Sequence, residues 1–378
     1  MTALPETDAI LMIASSEGNA DMLYAVGMFV PDPFTYIERD GRRTVVMSDL
    51  EIDRAKAQAK VDEVLSFTAY QNRLKERGAE QPKFADVVAE VLNEKRIRSV
   101  LVPEAFPVGY ADRLREHGIT VHAKADPFWA QRTMKNAHEL SCIAQASRHT
   151  ESAMRAAIAV IREATVRDGL LYGPEGVLTA EYVKKVISIH LLERECIAQH
   201  TIVAGGLQGC DPHNQGAGPL RAGEPIILDV FPKSSTTGYY ADITRTVIRG
   251  RASDALKRMY DAVLEAQEVV FARLKAGIDG QEIHRAVEAL FKSRGFETGE
   301  KDGRMQGFFH GTGHGLGLEV HEPPRISKVP CIMRPGHVVT VEPGLYYTDT
   351  GGVRIEDNVV VTENGCENLT QMEKRLEV

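Results

Sequence analysis

Between Asp8 and about Lys124, short β-rich runs alternate with stretches of helical spacing. Ala9-Ile10-Leu11-Met12-Ile13-Ala14 reads as a buried strand. Phe34–Glu38 and Arg43–Ser48 flank an Asp40-Gly41 step, which predicts a hairpin. Apolar residues at helical intervals predict helices over Glu51–Lys60, Phe84–Glu94 and Tyr110–His117, the last stopped by Gly118. With Ser99–Val102 and Ile119–His122 as strands, residues 1–130 are expected to form an α/β domain, and no phosphate-binding loop is found in it.

Asp126-Pro127-Phe128-Trp129 interrupts the periodicity and places a domain boundary at 125–135. Beyond it, long helical patterns cover Ala137–Thr165, Thr179–Leu192, Asp254–Lys275 and Gln281–Arg294, with Thr179, Ser253 and Asp279 as capping residues. Strands are expected at Pro225–Phe231, Thr244–Ile248, His337–Val341 and Val353–Val361. Residues 131–378 therefore predict an α+β domain with helices grouped apart from an antiparallel sheet. No repeat or low-complexity tract is visible.

The length of 378 residues agrees with two domains, and 43% apolar with 26% charged residues is the composition of a globular protein. Forty-five basic against fifty-three acidic residues give a net charge of −8, which excludes a phosphate backbone as an expected partner. Met1–Ser15 has no basic start before its apolar stretch, and no apolar run approaches the roughly 20 residues of a membrane span, so a cytoplasmic protein without membrane contact is expected. Five scattered cysteines without a CxxC pair are expected to be reduced core residues.

The chemistry lies in charges placed where burial is expected. Asp229 follows Ile226-Ile227-Leu228, Glu342 follows Val338-Val339-Thr340-Val341, Glu356 follows Val353-Arg354-Ile355, and Asp242 precedes the strand at Thr244. An uncompensated buried carboxylate is strongly unfavourable, so this group calls for positive charge. Arg245 and Arg354 could neutralise some of it; a pair of metal ions would neutralise all four acids. His310-Gly-Thr-Gly-His314-Gly-Leu-Gly-Leu-Glu-Val-His321 adds three imidazoles among four glycines. Oxygen donors with one or two nitrogens suit Mn²⁺, Co²⁺, Fe²⁺ or Zn²⁺.

Asp229, Asp242, His314, Glu342 and Glu356 occur in this order within Leu-Asp, Tyr-Tyr-Ala-Asp-Ile-Thr-Arg-Thr, Gly-His-Gly, Val-Glu-Pro-Gly and Arg-Ile-Glu-Asp. This set resembles the dinuclear metal ligands of the creatinase/aminopeptidase "pita-bread" superfamily, and within it the Xaa-Pro branch of prolidase and aminopeptidase P. The resemblance runs from about Arg132 to the C-terminus. It implies a pita-bread catalytic domain over 131–378, preceded by a smaller creatinase-type N-terminal domain over 1–130. It also implies two divalent ions per chain, manganese first among them, and hydrolysis of Xaa-Pro bonds in dipeptides or short peptides by a metal-bridging hydroxide.

The same resemblance assigns roles. Asp229 would bind one ion, Asp242 and Glu356 would bridge both, and His314 and Glu342 would complete the second. Glu342 would also serve as general base and then acid. His213 and His321 match histidines that face the substrate and stabilise the oxyanion. His310 and Arg354 match residues that orient the ligands from behind, and Arg325 resembles an arginine that meets a substrate's terminal carboxylate. A homodimer is implied as well.

Two features keep other readings open. The family continues Asp-x-Gly after its first ligand, whereas here Asp229-Val230-Phe231 places a bulky ring beside the cleft. Arg325 read by itself is equally a surface residue, so dipeptidase and aminopeptidase both stand. A metal-dependent lyase or hydrolase of a small charged metabolite on the same fold, or a binding module without chemistry, are the alternatives. The remaining histidines, at 117, 122, 138, 149, 190, 200, 284 and 337, are read as ordinary surface or core groups, and Trp129 as packing.

Overall fold

The computed structural model describes residues 6–378. The chain divides into two units, one ending at Ala130 and the other spanning Gln131–Val378.

The first unit is built on β1 (Ala9–Ala14), β2 (Phe34–Arg39), β3 (Arg42–Met47), β4 (Glu63–Ser66), β5 (Ser99–Pro103) and β6 (Thr120–Lys124), in the order β4-β3-β2-β1-β5-β6. β1, β2 and β3 are antiparallel neighbours, while β4, β5 and β6 join in parallel. The β2–β3 turn places Asp40 and Gly41 at φ 51° and 77°, the two positive values that a two-residue hairpin of this type requires. Both sheet faces are buried, which is why β1 carries no polar alternation. Leu11 and Ile13 enter one core with Ile37, Val46 and Val88, and Met12 enters the other with Tyr36, Val45 and Met22. Helices α1 (Ala20–Val26), α2 (Ile52–Gln58), α3 (Phe67–Glu76), α4 (Phe84–Glu94) and α5 (Val108–Glu116) connect the strands. Trp129 packs edge-on against Tyr36 and Phe128, so its role in the structure is packing.

In the second unit, α6 (Ala137–Glu163), α7 (Ala180–Leu192), α8 (Asp254–Arg273) and α9 (Gly280–Ser293) each begin at a side chain that accepts a backbone hydrogen bond: Asn136, Thr179, Ser253 and Asp279. α6 and α7 share a core with the antiparallel strands Ile226–Val230 and Ile243–Val247. α8 and α9 share another with Val338–Val341 and Asp357–Val361, inside a five-stranded sheet that also holds Glu322–Ile326, Gly313–Gly315 and Cys366–Asn368. The β-structure is thus several sheets rather than one.

The run 353–361, expected as a single strand, is broken at Ile355-Glu356. Gly351–Arg354 pairs with Gly344–Tyr347, whereas Asp357–Val361 pairs with Val338–Val341. At the break the Glu356 amide donates to the Thr244 carbonyl at 3.0 Å, so the chain changes partner where a candidate ligand sits. Among the described residues, no helix is long and apolar enough to cross a membrane.

Candidate metal centre

Strand alternation decides which side chains reach the site. Ile226, Leu228 and Val230 face the α6–α7 core, so Asp229 falls on the opposite face. Val339 and Val341 face the α8–α9 core, which turns Glu342 the other way; Val353 and Ile355 do the same for Arg354 and Glu356. These side chains, with Asp242, His310 and His314, line one cleft of about 880 Å³.

The structure brings Asp242, His314 and Glu356 together, each offering a ligand atom within 4.8 Å of the others. Nε2 of His314 lies 3.7 Å from Asp242 Oδ2 and 3.5 Å from Glu342 Oε1. Asp229 stands beside this group with Oδ2 bound to Arg354 Nη2 at 2.6 Å. Among the described residues, Asp229 Oδ1, Asp242 Oδ1 and Glu356 Oε1 are buried without a hydrogen-bond partner.

Burial, with the charges of Glu356, Asp229 and Glu342, pushes the Asp242 carboxyl well above its usual range. Burial and then Glu356 do the same to Glu342. Burial and then Asp229 raise Glu356 to about 8. Burial, then the His321 ring, lowers His314 to about 3, so this imidazole is neutral at pH 7. Its Nδ1 is 3.2 Å from the Gly315 carbonyl, which can only accept, and the proton therefore sits on Nδ1. The Nε2 lone pair consequently points at oxygens of the Asp242 and Glu342 carboxyls. That arrangement is repulsive unless a proton or a cation stands between them, and either would also relieve the orphaned oxygens. The donor set fits hard or borderline divalent ions.

Behind these side chains runs a hydrogen-bonded chain. Arg354 Nη1 donates to Tyr346 Oη at 2.8 Å, and Tyr346 Oη lies 3.0 Å from His310 Nε2. His310 Nδ1 is 2.7 Å from the Gly311 carbonyl, so it donates there and accepts from Tyr346 at Nε2. Burial, then the Arg354 charge, holds His310 neutral with a pKa of about 3. Thr244 donates to Glu356 Oε2 at 2.7 Å. Close approach explains one of the glycines: a Cβ on Gly313 would stand 1.9 Å from the Thr340 carbonyl oxygen.

The two arginines of the sequence argument separate here. Arg354 neutralises Asp229, whereas Arg245 pairs with Asp357 at 2.8 Å and bonds the backbone carbonyls of Glu356 and Met372 rather than a candidate ligand carboxylate. His213, His321 and Arg325 line the solvent-reachable part of the cleft. The His321 ring stands perpendicular to His314 with centroids 4.3 Å apart, and Arg325 is register partner of His314. Phe231 also lines the cleft. Sequence reading missed Tyr346, which nothing but its contacts marks, and passed over two histidines. His200 lines the cleft, and His284, 1% exposed, lies 2.8 Å from the hydroxyl of Thr312 between His310 and His314.

Comparison with known proteins follows the same direction. Residues 141–363 match metallopeptidase family M24. The chain is 31% identical over 284 residues to a Xaa-Pro dipeptidase of Pyrococcus horikoshii, covering 74% of this chain and 75% of that one. It is 43% identical over 177 residues to the uncharacterized peptidase YqhT of Bacillus subtilis, a match spanning about half of each chain, 46% and 47%. The crystal structure of an X-Pro aminopeptidase from Thermotoga maritima superposes with a TM-score of 0.81 at 26% identity, covering 98% of both chains. Fold and site together define a metal-dependent peptidase with a pita-bread catalytic unit. The chain belongs to metallopeptidase family M24.

Proposed function

We propose that the protein hydrolyses the bond preceding proline in dipeptides or short peptides. Two divalent ions, with manganese the first candidate, would be held by Asp229, Asp242, His314, Glu342 and Glu356. The observation that carries this reading is the neutral His314 lone pair facing oxygens of Asp242 and Glu342, with Asp229 Oδ1, Asp242 Oδ1 and Glu356 Oε1 buried and unpartnered in the same group. Bound divalent ions would supply Lewis acidity, bringing the pKa of a water near neutrality and polarising the scissile carbonyl.

The remaining work falls to side chains of this chain. Glu342, at the cleft wall beside His314, accepts the proton of the attacking water and returns it to the proline nitrogen, which leaves poorly unless protonated. His321 and His213 donate hydrogen bonds to the carbonyl oxygen as charge develops on it. The chain from His310 through Tyr346 to Arg354 holds Asp229 in place. Arg325 pairs with the terminal carboxylate of a dipeptide. The unit ending at Ala130 is read as the creatinase-type N-terminal domain, and the assembly as a cytoplasmic homodimer.

Incubating manganese-loaded protein with Xaa-Pro dipeptides and Xaa-Pro-Xaa tripeptides, with and without chelator, tests the reading. Chelator-sensitive cleavage of either supports it; cleavage of neither rejects it. Sedimentation at the mass of one chain would reject the dimer.

A further inference from the structure

Lys135 and Glu322 form an ion pair with side chains only 1% and 4% exposed, and Arg132 Nη2 holds the second Glu322 oxygen at 2.8 Å. None of the three lines the cleft. A buried ion pair is weak evidence for stability, because apolar residues of the same volume commonly serve as well or better. Its place in the fold suggests another use: Glu322 is the residue after His321.

The backbone there does not by itself direct His321. Pairing between Gly313–Gly315 and Glu322–Ile326 jumps from His314 opposite Arg325 to Gly315 opposite Glu322, leaving Pro323 and Pro324 unpaired in a bulge. Among the described residues, the His321 ring has no hydrogen-bond partner and meets only the edge of His314. The Glu322 carboxylate is instead wedged against Gly317, where a Cβ would stand 2.5 Å from Oε1, and is gripped by Lys135 and Arg132. Lys135 is itself anchored, its amide donating to the Gly336 carbonyl at 2.7 Å. The same helix start reaches a second site segment, since Glu139 accepts from Tyr239 Oη at 2.8 Å, three residues before Asp242.

We propose that Lys135, with Arg132, positions His321 through Glu322: the buried pair is a brace that sets the imidazole's direction toward the cleft. This rests on the substrate-side role given to His321 above. Lys135 and Glu322 are positioning residues, and neither touches substrate.

The test uses full-length, manganese-loaded Lys135→Met/Glu322→Leu, in which no buried charge is left alone, with Glu322→Gln as a second variant that keeps the shape. Thermal midpoint, bound metal, and kcat and KM on an Xaa-Pro dipeptide are measured on the manganese-loaded protein, and imidazole cross-peaks in ¹H–¹⁵N spectra on the same variants loaded with diamagnetic zinc, the His321 peak being assigned by its loss in H321A. Expected are an unchanged metal content and a midpoint within a few degrees. The fall in kcat is roughly 10- to 100-fold with little change in KM, the scale seen when residues that orient a site are removed. The His321 cross-peak shifts or broadens while distant histidines stay put. Wild-type kcat with an unmoved His321 peak in both variants overturns the proposal. So does a change spread over all histidines with a large loss of midpoint, which would assign the pair to folding alone. If the wild type cleaves no Xaa-Pro substrate, the functional reading fails, and the His321 cross-peak still decides the brace.

Discussion

Removing metal should make this protein less stable as pH rises above 7, the reverse of ordinary acid denaturation. In the metal-free chain Glu356 has a pKa of about 8 against a usual 4.5, because burial and the Asp229 charge oppose ionisation. A raised folded pKa means that its stabilising contribution is complete below 4.5 and is lost as pH climbs through 8. His310, His314 and His337, lowered to about 3, 3 and 4, pull the other way until their unfolded counterparts are mostly neutral near pH 7, so the window is pH 7–8. One proton retained only by the folded state changes stability by at most about 1.4 kcal/mol per pH unit, and with Glu356 half titrated at pH 8 this gives about 1 kcal/mol across the window. For a unit of this size that is a fall of roughly 2–4 °C in the thermal midpoint. Asp242 and Glu342, also pushed up by burial, add to it. Chelator-stripped and manganese-loaded protein should be melted side by side at half-unit steps of pH. The loaded form is expected to hold level or rise, because metal binding displaces these protons. A stripped midpoint that is flat or rises from pH 7 to 8 would refute the reasoning that buried acids here are held together by protons or cations.

Glu342→Gln should lower kcat by about 10²–10⁴-fold, the usual share of a general base, in steady-state assays on an Xaa-Pro dipeptide. Arg325→Ala should reduce kcat/KM for dipeptides by roughly 10-fold while leaving tripeptides little changed, since a hydrogen bond to a charged group is worth about 1.5–3 kcal/mol; an equal effect on both substrates would remove the carboxylate role. His337 accepts the Arg334 amide at Nδ1, and burial and then the Lys135 charge lower its pKa to about 4. His337→Gln should therefore flatten the loss of stability between pH 6.5 and 4 by up to about 3 kcal/mol, read from urea melts. Here the depressed value means stability is complete above 6.5 and lost toward 4.

Much of the candidate site could be read before folding because a carboxylate inside an apolar strand is a conspicuous cost. Asp229, Glu342 and Glu356 each interrupt such a run, and the strand period places them on the face away from the helices. Helix starts were equally visible, since Thr179, Ser253 and Asp279 sit where polar caps satisfy free amides. α1 and α3 were not read from the sequence although Asn19 and Ser66 cap them. The break at Ile355-Glu356 was invisible because the apolar pattern runs straight through a change of strand partner.

By itself, then, the order of residues determined which groups must be compensated and which face of each element they occupy, since both follow from local period and the price of burying charge. Which compensation each receives was decided only by tertiary structure. Arg245 and Arg354 flank the candidate ligands alike in sequence, yet one binds Asp357 and the other Asp229. Lys135 finds Glu322 across 187 positions of chain, and Tyr346 joins Arg354 to His310 through contacts that no spacing announces. Pairing of charged and hydrogen-bonding groups depends on distances of a few ångströms, and those exist only after the strands have chosen their neighbours.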